Sequence, residues 1–446
     1  MIFRSLTLLV TLAILSGCVA IDDTYTEVPP GPWRAELKLE ARPITPNPKG
    51  KPLPEKLNFE FEEVAGGVLP FTFEVAYEDD STFHIDMYNG EETIRIPAAN
   101  IGFGRDKTIA RDTLRIDFPV YDSYISAYHE DGVIEGVWVK NYDAENRIPF
   151  VAKFGQDHRF THLRKTPAAD LTGNWAVEFG KPGEEAYPGI AEFKQDGNNL
   201  LGTFRTETGD FRYLAGTMQG NRAYLSVFDG AHAFLFEAEL TAGDTLRGTF
   251  RSGRSYITGW TAVRNSAAML TDPDALTRLK EDAPLRFSFP APGGDTVSLT
   301  DPAFAGKVKL VQVMGTWCPN CRDETAFLKQ YLAENPGSDL AVIGLAFERY
   351  ADPAKSLGII SRYRTQMDIP WPILLAGTSS DKEEAGRKLP MLDRVISYPT
   401  LLFVDRQNRI RRIHTGFNGP ATSKYADFVE RFEQTVNELL AEREVQ

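Results

Sequence analysis

Cysteine is nearly absent: the chain has three in 446 residues, and two of them share the stretch "GTWCPNCRDE", Gly315 to Glu324. So small a supply excludes a disulfide-stapled scaffold, and a chain this long can bury several cores without staples. Histidine is scarce as well, with six residues, none at ligand spacing from a cysteine. A structural zinc site takes four ligands, commonly two Cys-x-x-Cys knuckles or one knuckle with two histidines. There is no second knuckle, and the closest histidines, His158 and His162, sit in the turn-rich "GQDHRFTHLRK". Basic residues are outnumbered, 49 against 62 acidic, for a net charge of -13. No basic stripe suits a nucleic acid, and the arginines of "DRQNRIRRIHTG" read as a solvated sheet edge. Neither a second dithiol nor a flavin or nicotinamide fingerprint is present, so no cofactor is expected.

What is present begins with the N-terminus. Met1-Ile2-Phe3-Arg4 leads into the apolar run "SLTLLVTLAILSG", which is short for a membrane span and has the order of a secretory signal. Its ending, Leu15-Ser16-Gly17-Cys18, resembles the bacterial lipoprotein processing box. That resemblance implies removal of residues 1–17, a lipid-bearing Cys18 held in a membrane, and a place in the cell envelope, on the periplasmic side or at the outer membrane. The alternative is a plain signal peptide cut near Ala20. Residues 18–56, with "VPPGP" and "ITPNPKGKPLPEK", read as a tether and a proline-rich segment.

From 57 to 165 the chain runs in short alternating segments such as "LPFTFEVAYEDDSTFHIDMYNGEETIRI" and "DTLRIDFPV". Period-two alternation broken by Gly, Asn and Asp predicts an antiparallel sandwich or barrel. Residues 166–264 continue in the same style as successive hairpins, with Asp196-Gly197 and Asp229-Gly230 at turns. They form a second β-rich domain or the second half of one barrel. No catalytic constellation stands out in either part, which leaves substrate docking, spacing from the membrane or partner binding as their roles. Residues 265–284 read as a linker in which "DPDALTRLKE" can make a short helix.

The two remaining cysteines, Cys318 and Cys321, can hold a metal, close an inert loop or exchange electrons. A disulfide over so small a loop adds little stability, and the flanks favour exchange. Upstream, "KLVQVM" is the pattern of a strand covered on both faces. Downstream, "CPNCRDETAFLKQYLAENPG" places Phe327, Leu328, Tyr331 and Leu332 at helical spacing, with Pro319 at the first helical position. Both thiols then ride on the first turn of a helix. Free backbone N–H groups and the helix dipole stabilise a thiolate at Cys318, and Cys321, one turn on, is placed to resolve a mixed disulfide.

The later segments complete a pattern. "DLAVIGLAF" is a second buried strand, Thr400 to Val404 a third, and "DRQN" turns into Ile410 to Ile413. "TSKYADFVERFEQTVNELLAE" is an amphipathic closing helix. On these motifs residues 285–446 resemble the thioredoxin-like domain of the TlpA and ResA type of membrane-anchored thiol-disulfide oxidoreductases. The fold class expected is therefore multi-domain, an antiparallel β-sandwich or barrel-like region followed by an α/β thioredoxin-like domain.

The resemblance implies that Cys318 and Cys321 are the redox pair and that Glu324, three positions beyond the second cysteine, handles protons. It also implies that Trp317 and the Tyr398-Pro399-Thr400 segment, with Pro399 cis, contact an extended substrate. Disulfide-bearing exported polypeptides would be substrates, as in cytochrome c maturation, and a membrane protein would supply thiol electrons. Two departures stand out. Pro319-Asn320 lacks the proline that the family commonly has before the second cysteine, and Gln312 replaces the aspartate or asparagine expected six positions before the first. Two other functions remain in view: a thiol peroxidase, against which Gly315 stands where such a site usually has threonine, and a surface lipoprotein whose β-rich region binds a ligand or partner.

Overall fold

A computed structural model describes residues 28–40, 64–180, 185–380 and 382–442. Cys18, the signal segment and the proline-rich stretch lie outside the described residues. Gly31–Lys38, within the stretch read as tether, is a strand instead. Its alternation buries Trp33, Ala35 and Leu37, and it pairs with Val68–Tyr77 on one side and Ile148–Phe154 on the other. A tether cannot bury that face, and the flanking prolines masked the short alternation.

That strand is the fourth of a nine-stranded antiparallel sheet. On one side follow Val68–Tyr77, Phe83–Asn89 and Glu92–Ile96; on the other follow Ile148–Phe154, Val133–Lys140, Ser123–Glu130, Arg111–Phe118 and Ile101–Asp106. Alternate residues such as Phe71, Phe73, Val75, Ile85 and Met87 enter one core, as period-two pleating requires.

Residues 173–264 form a separate antiparallel meander of eight principal strands, Gly173–Phe179 through Tyr256–Arg264. Tyr187–Asp196 pairs with both Gly173–Phe179 and Asn199–Thr206, and Gly173–Phe179 pairs with Tyr256–Arg264, so the sheet closes into a barrel with no free edge. The interior is solid: Phe204 and Phe236 stack at 4.2 Å, and Phe236 and Phe250 at 4.4 Å. The barrel's outer face covers the first sheet, with Phe228 4.6 Å from Phe71 and edge-on to Trp138 at 5.0 Å. Half-buried Arg159 ties the two together by donating to Ser226 Oγ and to the Tyr88 carbonyl, each at 2.8 Å. Period two does not distinguish open from closed sheets, because closure depends on which distant strands meet.

The linker carries only a 3-10 turn, Pro273–Ala275, where a short helix was expected; Leu279 bridges to Leu392, so the segment is held in extended form against the next domain. That domain has a five-stranded sheet ordered Ile373–Thr378, Leu340–Glu348, Val308–Met314, Thr400–Val404, Ile410–Thr415. The first three strands are parallel, Thr400–Val404 runs antiparallel to them, and Ile410–Thr415 runs antiparallel to Thr400–Val404. Helices Pro319–Glu334, Pro353–Gln366 and Tyr425–Ala441 contribute Leu328, Tyr363 and Phe432 to one core. On the other side Ala385 and Leu389 join Phe287 and Leu299 of the Ser288–Ser298 hairpin region. The chain thus has an open β-sheet and a closed β-barrel followed by an α/β thioredoxin-like domain. No helix among the described residues is long and apolar enough to cross a membrane.

Candidate dithiol site

The central strand Val308–Met314 is buried at every residue, and the chain leaves its C-terminal end through Gly315. A Cβ at Gly315 would stand 2.4 Å from Trp317 Nε1 and 3.0 Å from the Phe347 carbonyl. Glycine is therefore what allows the Trp317 indole to donate to that carbonyl at 2.9 Å. Cys318 caps the helix Pro319–Glu334: its sulfur accepts the Cys321 N–H at 3.3 Å, and Pro319 takes the first helical position. That sulfur also lies 3.4 Å from the Tyr398 carbonyl, to which its thiol donates. Cys318 is 8% exposed and Cys321 is fully enclosed; both are free thiols. Burial, followed by the hydrogen bond and charge of Cys318, pushes the Cys321 thiol well above its ordinary value.

Glu324 lies one turn beyond Cys321 and has no exposed surface. Its Oε2 accepts from Gln312 Nε2 at 2.9 Å, whereas Oε1 has no partner. Gln312 also donates to the Cys321 carbonyl and accepts from Thr325. An amide at position 312 is therefore a clamp for the carboxyl rather than a base. Desolvation pushes Glu324 up to about 8, opposed by the Gln312 hydrogen bond.

This shift has a measurable consequence. Glu324 holds its proton to about pH 8 when folded, against an ordinary value of 4.5. Between these the folded chain binds more protons, so stability is full below the lower value and falls as pH rises to the upper one, by up to about 1.4 kcal/mol per pH unit. Glu324→Gln is expected to remove this slope, so its advantage over the parent should grow across the window in urea-midpoint measurements. A pH-independent difference would show that Glu324 does not titrate there. Asp210 and Glu348, raised to about 6 and about 7, chiefly by burial, leave a residual slope of the same sign.

Tyr398–Pro399 is the cis peptide bond among the described residues. Trp317 meets Tyr398 edge-on at 5.8 Å, and Thr400 Oγ1 donates to the Ser397 carbonyl at 2.9 Å. The structure thus gathers Trp317, Cys318, Cys321, Glu324, Tyr398, Pro399 and Thr400, whereas Cys18 lies outside the described residues. It adds Glu348, at the end of the otherwise apolar strand Leu340–Glu348, which accepts from Thr316 N–H at 3.0 Å and Thr316 Oγ1 at 2.8 Å. A charged residue ending a fully buried strand was the available signal.

The barrel also reaches this site. The strand Asn199–Thr206 turns back through Gly209–Asp210, and the tip of that hairpin rests on the loops around the thiols. Asn320, between the two cysteines, donates to the Asp210 carbonyl at 3.1 Å, and Ser397 Oγ donates to the Thr208 carbonyl at 2.7 Å. Gly209 has φ +138°, and a Cβ there would stand 2.4 Å from Asn320 Nδ2. Three residues on, buried Arg212 pairs with Asp323 of the thiol helix, Glu92 of the first sheet and Asp229 of the barrel. Three parts of the chain therefore meet at the first turn of the thiol helix.

The Redoxin family model matches residues 279–429. The thioredoxin-like protein YneN of Bacillus subtilis (strain 168) is 29% identical over 130 residues, covering 29% of this chain and 68% of that relative. Among solved structures, a thiol:disulfide interchange protein of the thioredoxin family from Chlorobium tepidum TLS is 21% identical with TM-score 0.27, covering 37% of this chain and 98% of its own. A thiol-disulfide oxidoreductase from Bacteroides fragilis NCTC 9343 is 18% identical with TM-score 0.25, covering 33% and 99%. The C-terminal part of this protein is thus an α/β thioredoxin-like domain that the Redoxin family model matches over residues 279–429.

Proposed function

We propose that the protein reduces disulfides of exported polypeptides by dithiol exchange at Cys318-Pro319-Asn320-Cys321. The observation that carries this reading is the pair of free thiols at a helix start, the Cys318 sulfur accepting the Cys321 N–H. The Cys318 thiolate attacks a substrate disulfide, forming a mixed disulfide and releasing one substrate thiolate, which takes up a proton. Cys321 then loses its proton, with the ionised form of Glu324 as the nearby acceptor, and attacks the Cys318 sulfur. The second substrate thiol leaves, and the protein retains the disulfide. Two electrons have passed to substrate, and an outside dithiol, read as a membrane thiol donor, must restore them. Trp317, Tyr398, Pro399 and Thr400 form the substrate side.

In this proposal Cys18 anchors the chain in the envelope, and the β-rich region, divided near residue 165, docks substrate or partner beside the thiols. The hydrogen bonds from Asn320 and Ser397 to the barrel hairpin support docking over mere spacing. The peroxidase reading loses support because a side chain at Gly315 would displace Trp317.

The test is insulin-disulfide reduction by the full chain, with hydrogen peroxide turnover beside it and a dithiothreitol redox titration. A midpoint below roughly -180 mV is expected for a reductant. A midpoint near about -120 mV would make the protein a donor of disulfides instead.

A further inference from the structure

A cavity of about 350 Å³ adjoins the site, with Trp317 among its walls. The first sheet supplies Trp138, Lys140 and Tyr142, the barrel supplies His232, and the thioredoxin-like domain supplies Trp317 and Arg349. Two cations converge there on aromatic faces. The Arg349 guanidinium lies 3.9 Å over the Trp317 ring and 5.4 Å from the Tyr142 ring; Lys140 Nζ lies 4.9 Å from Trp138 and 5.8 Å from the same Tyr142. Neither cation has a carboxylate within ion-pair distance among the described residues, although the protein carries an acidic excess overall.

The nearby acids are otherwise engaged. Asp229 is held by the N–H groups of Ala231 and His232 and by Arg212, and Asp143 on the rim accepts from Asn146. Burial pushes Lys140 down to about 8, opposed by the charges of Asp229 and Asp143 and reinforced by that of Arg349. Two like charges facing one tyrosine with no carboxylate in ion-pair contact are costly unless something anionic enters. Aromatic walls with two fixed donors suit a planar carboxylate, which a guanidinium grips well.

We propose that this cavity is a specificity pocket that binds a carboxylate of the disulfide substrate, with Lys140 and Arg349 as its donors and Trp317 as the wall shared with the thiols. The proposal rests on the dithiol-exchange reading and adds a substrate class to it: disulfides bearing a nearby carboxylate. His232 and the aromatic rings shape the pocket without taking part in the exchange.

The test compares two disulfides on the reduced full chain, the dianionic dithiobis(nitrobenzoate) and the neutral hydroxyethyl disulfide. Lys140→Gln and Arg349→Gln are each expected to cut the rate with the carboxylate-bearing disulfide about tenfold more than the rate with the neutral one, the scale of one lost charged hydrogen bond. Equal losses with both, or no loss, would overturn the pocket. Lys140→Arg should restore most of the preference, which a merely structural role would not require. A wild-type chain that attacks neither disulfide would refute the exchange reading, and the pocket is then judged separately. Titrating the oxidised chain with nitrobenzoate should give saturable quenching of Trp138 and Trp317 fluorescence that disappears in the double variant. Quenching that is absent, or unchanged in that variant, refutes the pocket itself.

Discussion

Cys318→Ser is expected to abolish disulfide reduction completely, and Cys321→Ser to halt it with substrate covalently attached. The asymmetry follows from placement. The Cys318 sulfur takes the cap position and receives the Cys321 N–H. It is also the only one of the two with any exposed surface, 8% against none. Cys321 is kept protonated by burial and by its neighbour's hydrogen bond and charge, so it stays inert until Cys318 is in a mixed disulfide. Limiting iodoacetamide followed by mass spectrometry of the reduced chain should therefore find Cys318 alkylated first. Equal labelling of both cysteines would end this division of roles.

The second large effect is expected at Arg212. Its side chain is 2% exposed and reaches Asp323, Glu92 and Asp229, whose side chains are 20%, 15% and 0% exposed. Arg212→Leu removes the cation and leaves three carboxylates in a site of low dielectric. Breaking a buried pair in this way costs about 3–5 kcal/mol. Because the partners belong to different parts of the chain, the loss should also loosen the barrel hairpin from Asn320. A lowered urea midpoint together with faster alkylation of Cys318 is the expected pair of results. Unchanged stability would show that the three acids rearrange or take up protons at little cost. Arg212→Lys should recover only part, since an ammonium cannot fork to three carboxylates.

The alternating segments between residues 68 and 264 were legible as strands because a half-buried strand writes its environment into every second residue, as in Phe71, Phe73 and Val75. The thiol helix was legible for a similar reason: Pro319, the apolar spacing of Leu328 and Tyr331, and the cysteines all act within a few residues of one another. Gly31–Lys38 was missed because its burial comes from partners more than thirty and more than a hundred residues away. The expected helix at "DPDALTRLKE" shrank to a single 3-10 turn because Asp274 pairs with Arg412 and with His414, an attraction no local propensity records.

By itself the sequence determined the chemistry available: a strand, a sharp turn and a helix start bearing two thiols, with Glu324 one turn on, since spacing along one helix sets those neighbours. The closure of the barrel, the clamp of Gln312 on Glu324, the carboxyl of Glu348 behind Thr316, and the seating of Gly209 and Arg212 against the thiol helix were decided only by the tertiary structure. Each of these joins groups on different elements of the fold. A glutamate's ordinary value is a property of its residue type, but its rise to about 8 comes from the exclusion of water by the other segments folded around it.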